Sequence, residues 1–586
     1  MRKSLSLVRE SPLLIVLIIG CVVLGVLLLR DLDFGPLHTD FEVMAVWSET
    51  YDFSGFVEQY HEFNQRHLLG GPRNALAFMS FGRNMLPYNT IFAISRVLEG
   101  ALLAGILYQA FRYRLLAICA GLALTLSPVR LPQFYQTIYW GIETTLVLTL
   151  AAVYAYVMSV QQTQPRSRWR WYGISFLFYA LAILSYEANI PWLGVQVLLG
   201  WYLLADLPWR QRLRRLVLEA LPFGVLAIVI VILVLFVFDP WNDLAPSSSD
   251  SLPARVIEQL STAITFPLLY IDRLRVSVHE GYAGLVALSA LAGGAVLLSV
   301  RAWLAPTEER SESFWSDAGK LLVLAGVMVF AATLVGTSNP DTREAYRNRM
   351  TFGRSVGIAV MYTTLIFGVA YAVRRALGMW RVPWHTIGGL AMGVGLIGPG
   401  LAFMLVYQNL GQDTVAEVDD LENAVVDVRC LFRRPLHMVI VTEADWVGAR
   451  IPDANDWILR ETQRALIDAE ADVTIDILKA GNAGYEDDFV PVEGTCELDF
   501  ASGMCLDEGS VRTSRWALGD VVPNENIVVV HYANDGTLTL MRDIDIRSLE
   551  NYNIATAGPN ILTTNEERLA LPFDQMPVPL SGHCPE

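Results

Sequence analysis

Long apolar stretches separated by short, arginine-rich connections dominate the first four hundred residues. The first, at 13–29, follows MRKSLSLVRESP with no small-residue cleavage site behind it, which predicts an uncleaved membrane span. Further spans are predicted at about 91–111, 115–128, 139–160, 172–186, 191–205, 221–238, 281–300, 320–336, 355–373 and 385–407. That makes eleven, although 115–128 and the pair within 172–205 fall short of the ~20 residues that a ~30 Å hydrocarbon core demands. Between spans, Phe41, Met44, Trp47, Phe56, Tyr60, Phe63 and Leu68 recur near helical spacing, as do Val256, Ile257, Leu260, Ile264 and Leu268. Both segments, 41–69 and 254–275, are expected to be amphipathic helices in the membrane interface. The stretch DPWNDLAPSSSDSL (239–252) has the composition of a linker.

Beyond 407 the period shortens. LHMVIVT (436–442) and VTIDILK (473–479) have the pattern of strands on either side of an amphipathic helix at 456–471. NIVVVHY (526–532) and TLTLMRD (537–543) flank Asp535-Gly536, a hairpin-turn dipeptide. The expected fold is an α-helical polytopic membrane domain of about eleven transmembrane helices over 1–407, followed by an extracytoplasmic α/β domain over 408–586.

Charge sharpens this division. Residues 411–586 hold 33 acidic and 12 basic side chains, net −21, against +5 for 1–410. With 53% hydrophobic and only 17% charged residues, the 586-residue chain is no ordinary soluble enzyme. No basic domain exists to meet phosphodiesters, so nucleic acid is excluded as a partner and membrane lipids are expected. Arginines cluster in the loops at 112–114, 164–170, 209–215, 301–310 and 374–381. The positive-inside rule then places the N-terminus in the cytoplasm of a cell with its plasma (inner) membrane as host. It puts 30–90, 239–280, 337–354 and everything after 407 outside, in the cell envelope.

Four cysteines lie in the outer part, where oxidising conditions favour disulfides. Cys496–Cys505 is the expected local clasp and Cys430–Cys584 the expected tie between the domain's ends; zinc is the alternative, without ligand spacing to support it.

Ionisable residues near spans are expensive and often functional. Arg96 and Glu99 stand at i and i+3 in the second span, where pairing on one helix face is the structural alternative to a role in a site. Glu143 opens the fourth span, Glu187 lies in LSYEANIPW (184–192), and Arg343, Arg347, Arg349 and Arg354 crowd the segment before the tenth. The predicted topology gathers all of these at the outer face, a composition suited to an amphiphilic anion. Asp40 and Glu42 follow the first span closely; such a pair at a membrane rim can act as a general base or hold a divalent cation.

These residues, with GGPRNALAFMSFGRNMLPYN (70–89), LALTLSPVRLPQFYQTIYW (122–140), LAILSYEANIPW (181–192) and NRMTFGRSVG (348–357), resemble motifs of the GT-C superfamily of polyprenyl-phosphate-sugar-dependent membrane glycosyltransferases. The likeness is nearest to the protein O-mannosyltransferase-like branch and covers roughly 10–410. Tyr186 stands where that family usually has Lys, Thr351-Phe352-Gly353-Arg354 replaces an aromatic-Pro-Ser sequence, and the acidic pair is D-x-E rather than D-D or D-x-D.

The resemblance implies a transferase of the EC 2.4 class. A sugar would pass from a polyprenyl-phosphate donor to a surface polysaccharide, lipid or protein acceptor at the outer membrane face, with inversion. It casts Asp40, then Glu42, as general base, and Arg349, Arg354 and Arg73 as holders of the donor phosphate. Glu187 would orient a cation or the sugar, with Arg96 and Glu99 in support. No cofactor is required outright: Mg²⁺ or Mn²⁺ bridging Asp40 and Glu42 is one option, arginines alone the other. A non-catalytic GT-C-like scaffold docking surface proteins through its outer domain is the alternative, favoured by Tyr186 and D-x-E. A transporter ranks third, because no inverted repeat or matched pair of broken helices occurs.

Overall fold

A computed structural model describes residues 11–30, 44–45, 47–48, 50–63, 68–82, 84–126, 140–233, 265, 270–271, 274–275, 277–278, 281–304, 314–336, 351–378, 382–406 and 409, together with the backbone of nine short strands between 436 and 540. Contacts divide the chain into a helical unit reaching Gln408 and a strand unit from Asn409 onward.

The helical unit begins with α1 (Pro12–Arg30), then α2 (Phe53–Phe63), α3 (Gly70–Phe81), α4 (Met85–Phe111) and α5 (Arg114–Thr125). Next come α6 (Trp140–Gln161), α7 (Pro165–Ser185), a 3₁₀ segment (Glu187–Trp192), α8 (Leu193–Leu203) and α9 (Trp209–Leu233). After these follow α10 (Ala283–Trp303), α11 (Phe314–Gly336), α12 (Thr351–Ala376) and α13 (Trp384–Met392), which runs on through a π-turn at Gly393–Ile397. Local chemistry sets several ends. Asn84 caps α4 by accepting from the Leu86 amide at 3.1 Å, Arg112 ends it in the left-handed region at φ 67°, and Pro165 occupies the start of α7.

Among the described residues seven helices are long and apolar enough to cross a membrane: Met85–Phe111, Gly141–Gln161, Trp209–Leu233, Ala283–Trp303, Phe314–Thr333, Gly353–Ala376 and Trp384–Val406. The expected spans at 13–29, 115–128, 172–186 and 191–205 fall on α1, α5, α7 and α8. α5 and α8, at 12 and 11 residues, are too short, and the first turns of α7 carry Arg166, Arg168 and Arg170; α1 runs 19 almost wholly apolar residues from Pro12 to Arg30. At ~1.5 Å per residue the 12-residue α5 is about 18 Å long, well under a hydrocarbon core.

Burial separates centre from rim. Every residue of α5 from Leu115 to Thr125 is buried, and 72% of the apolar window of α4 is covered, against 22% for α10. The α4–α5 crossing is tight because Gly100 and Gly121 lie backbone to backbone; a β-carbon at either would strike the other's carbonyl oxygen. Gly293 and Gly393 repeat the device where α10 meets the π-turn segment. On the α6–α7–α9 side, Phe223 is ringed edge-on by Tyr172, Phe176 and Tyr179 at 5.4–5.5 Å.

The strand unit contains a four-stranded sheet ordered β2-β1-β8-β9. In it β1 (Leu436–Thr442) runs parallel to β2 (Val473–Lys479) and β8 (Ile527–Tyr532), and β9 (Leu538–Leu540) lies antiparallel to β8. Five shorter strands form a pair, β3 (Val490–Val492) with β4 (Cys496–Leu498), and a trio of β5 (Cys505–Asp507), β6 (Ser510–Arg512) and β7 (Val521–Pro523). The helix expected at 456–471 lies outside the described residues. No disulfide occurs among the described side chains, where Cys21 and Cys119 are free thiols. Cys496 and Cys505 stand on strands of separate sheets, and Cys430 and Cys584 lie outside the described residues, so the two expected bridges are unsupported.

Candidate functional site

The helix ends decide which ionisable residues meet. Arg96 sits a few turns into α4 and Glu143 in the first turn of α6, so antiparallel threading through α5 brings both to the same end of the bundle. Arg96 Nε approaches Glu143 Oε1 at 3.6 Å with both side chains fully buried. Glu99, one turn further along α4, is equally buried. The Arg96 guanidinium also lies 5.5 Å from the Phe92 ring centroid. A charge pair closed off from water inside apolar helices holds only where each ion compensates the other.

Arg73 joins the same end from α3. Its Nη1 donates to the Gly141 carbonyl at 2.9 Å, at the mouth of α6 and two residues before Glu143. The seat exists because residue 141 is glycine: a β-carbon there would overlap the guanidinium. Burial pulls the Arg73 pKa down, and the nearby Tyr60 hydroxyl pushes it part of the way back. Tyr60 belongs to α2, whose Phe56 stacks on Phe78 of α3 at 6.2 Å; Phe78 in turn meets Tyr88 of α4 at 5.2 Å. This aromatic bridge holds α2 and α3 against the start of α4.

Glu187 opens the 3₁₀ segment after α7, and its neighbourhood is tied to α3 by the Leu69 amide donating to the Leu184 carbonyl at 2.9 Å. Tyr179 fastens the 3₁₀ turn by donating to the Ile190 carbonyl at 3.0 Å. Arg354 is fully buried in the first turn of α12. Gly353 beside it packs against Ala332 of α11 and near Trp192 of the 3₁₀ segment. The start of α12 therefore packs near the Trp192 end of the 3₁₀ segment that Glu187 opens. Asp40, Glu42 and Arg349 lie outside the described residues, as do Arg343 and Arg347.

The sequence reading placed Arg96 and Glu99 together on one face and left Glu143 apart. The folded chain makes Glu143 the interhelical partner of Arg96, an assignment that needs the helices' packing. Gln196 was overlooked: it is 1% exposed in α8, and neither of its side-chain polar atoms has a hydrogen-bond partner among the described residues. A lone amide in the apolar run LGVQVLLGWYL was the signal available. Among the described residues no group of three or more His, Cys, Asp or Glu is disposed to hold a metal ion.

No protein-family model and no curated protein matches the chain. Among solved structures, it is similar to ArnT from Cupriavidus metallidurans in the apo state, with a TM-score of 0.32 and 14% identity over 80% of this chain and 92% of that one. ArnT from the same organism bound to undecaprenyl phosphate gives a TM-score of 0.31 at 14% identity with the same coverage. Likeness at this level transfers neither an activity nor a ligand.

Proposed function

We propose that this chain is a membrane glycosyltransferase that takes a sugar from a polyprenyl-phosphate donor and passes it to an acceptor at the outer membrane face. The observation that carries the reading is the gathering of Arg73, Arg96, Glu99 and Glu143 at one end of an apolar bundle. Glu187 and Arg354 lie at the starts of two helical segments that pack near one another beside α11. Burying so many ions is costly, and a structural bundle of this size has no need of them.

In this reading Arg354, Arg349 and Arg73 hold the donor phosphate, whose charge grows as the bond to the anomeric carbon breaks; planar guanidinium forks suit two of its oxygens. Asp40, with Glu42 behind it, takes the proton of the acceptor as it attacks from the opposite side, inverting the anomeric centre. Arg96 is neutralised by Glu143 and serves position rather than charge; Glu187 orients the sugar or a neighbouring cation. A divalent cation, if used, would be held by Asp40 and Glu42, and no described residue enters that set. The N-terminus lies in the cytoplasm and the strand unit outside, following the arginine loops.

The test is lipid analysis of the detergent-purified protein by mass spectrometry, followed by transfer assays with the lipid found. A polyprenyl-phospho-sugar retained by the native protein, lost from Arg354→Ala, and bound but not turned over by Asp40→Asn is the expected result. Ordinary phospholipids alone, even after polyprenyl phosphate is supplied, would sink it. The buried pairing of Arg96 with Glu143 favours one other reading, a scaffold that keeps a polar core without chemistry. In that case Asp40→Asn leaves the cellular role intact.

A further inference from the structure

A second polar concentration lies elsewhere, between the N-terminal turns of α7 and α9. A cavity of about 410 Å³ opens there, lined by Arg168, Trp169, Arg214, Arg215, Leu218 and Glu219 among others. Glu219 is the anchor. Its Oε1 accepts from Arg168 Nη2 and from Arg215 Nε (2.9 Å), and its Oε2 from the Tyr156 hydroxyl (3.2 Å). Tyr172 steadies the same turn by donating to the Glu219 carbonyl at 2.8 Å. One carboxylate thus aligns two guanidinium groups that remain partly open to the outside, 38% and 28% exposed. Arg214 adds a third and makes no hydrogen bond or ion pair among the described residues. Three cations against one anion leave the cavity about two charges positive.

Arginines that merely set membrane orientation need no such arrangement. Their neighbours on the same helix are engaged elsewhere: Arg212 donates to the Trp201 carbonyl and lies 3.8 Å from that ring, and Arg210 stacks on Trp209 at 5.6 Å. The depth of the cavity is marked by Trp169 and Trp209, 69% and 63% exposed, as aromatic side chains are at headgroup level. From its lip an exposed apolar stripe descends α9 through Leu218, Leu221, Val225 and Ile228, at helical spacing. Fork-shaped donors beside an acyl-sized track suit a phosphodiester with hydrocarbon attached.

The geometry points to a binding site for the headgroup of an anionic glycerophospholipid in this cavity, with an acyl chain along the α9 stripe. It shares no residue with the proposed donor site and stands whether or not the chain is a transferase.

The full-length protein in neutral detergent is titrated with dioleoyl phosphatidylglycerol or dioleoyl phosphatidylcholine and read by native mass spectrometry. Phosphatidylglycerol is retained in preference, and Arg214→Ala weakens it by about fivefold, the effect of one cation near an anionic headgroup. Arg210→Ala, outside the cavity, leaves it unchanged. Arg214 is exposed and unengaged, so its loss leaves the melting temperature in place. Equal binding of both lipids, or equal loss in the two variants, overturns the proposal. So does displacement of phosphatidylglycerol by glycerol 3-phosphate at equal concentration, which would make this a soluble-anion site. Preference for undecaprenyl phosphate over phosphatidylglycerol, lost with Arg214→Ala, overturns the glycerophospholipid assignment.

Discussion

Arg96 and Glu143 show why single-residue effects here should be asymmetric. Each is fully buried, so removing one takes a counter-ion away from the other where water cannot reach. Glu143→Ala should destabilise the bundle by about 3–5 kcal/mol, whereas Arg96→Met with Glu143→Met should recover a large part of that. Thermal unfolding in detergent, arranged as a double-mutant cycle, reads the difference; equal loss in single and double variants would contradict the pair. At Gly141 the sensitivity is steric. Gly141→Ala puts a methyl where the Arg73 guanidinium lies, and the hydrogen bond to the 141 carbonyl is lost with it. If Arg73 serves the donor, the dissociation constant for polyprenyl phosphate should rise about tenfold, the worth of one charge-assisted hydrogen bond.

Helices carry two tests. Asp52 precedes α2 and accepts from the Gly55 amide at 2.8 Å and the Ser54 hydroxyl at 2.9 Å. The Gly55 amide, more than the Ser54 hydroxyl, holds the Asp52 carboxyl below the usual carboxylate range. A lowered folded-state pKa means the cap's contribution is complete above the unfolded value of about 3.9 and is lost as pH falls through the folded value. Protection factors for amide hydrogen exchange in α2, taken relative to the intrinsic rate at each pH, should therefore fall below pH 4 in the native protein. In Asp52→Asn, which caps without titrating, that acid-dependent fall should vanish. The α4–α5 crossing is the second case. Gly121→Val cannot be accommodated without separating the backbones, and overpacking of this kind costs about 1–3 kcal/mol. The melting temperature should fall, and Gly25→Ala, where a β-carbon meets open space, should leave it unchanged.

For the whole molecule the question is orientation. The arginine-rich ends of α7 and α9 lie at one end of the bundle, and the buried Arg96–Glu143 pair lies near the opposite ends of those helices' neighbours. Positive-inside bias makes the first end cytoplasmic. An exposed Arg166→Cys should then resist membrane-impermeant maleimide in intact cells and react once the membrane is opened. Labelling from outside would invert both the proposed donor site and the phospholipid cavity.

Apolar runs and their punctuation were enough to place the helices, because a hydrocarbon-length stretch between arginine clusters has few other fates. The strands at 436–442 and 473–479 and the Asp535-Gly536 hairpin between β8 and β9 were legible for a related reason: their period and turn chemistry are local. How many helices are long enough to cross was not, since α5 runs only 12 residues and the 3₁₀ segment Glu187–Trp192 separates α7 from the 11-residue α8. The partner of Arg96, the glycine seat of Arg73 and the clasp of Arg168 and Arg215 on Glu219 join residues far apart in the chain. Composition determines that such ions exist at helix ends. Only the crossing of helices decides which ones share a dielectric pocket, because the energy of a buried charge depends on what stands within a few ångströms of it.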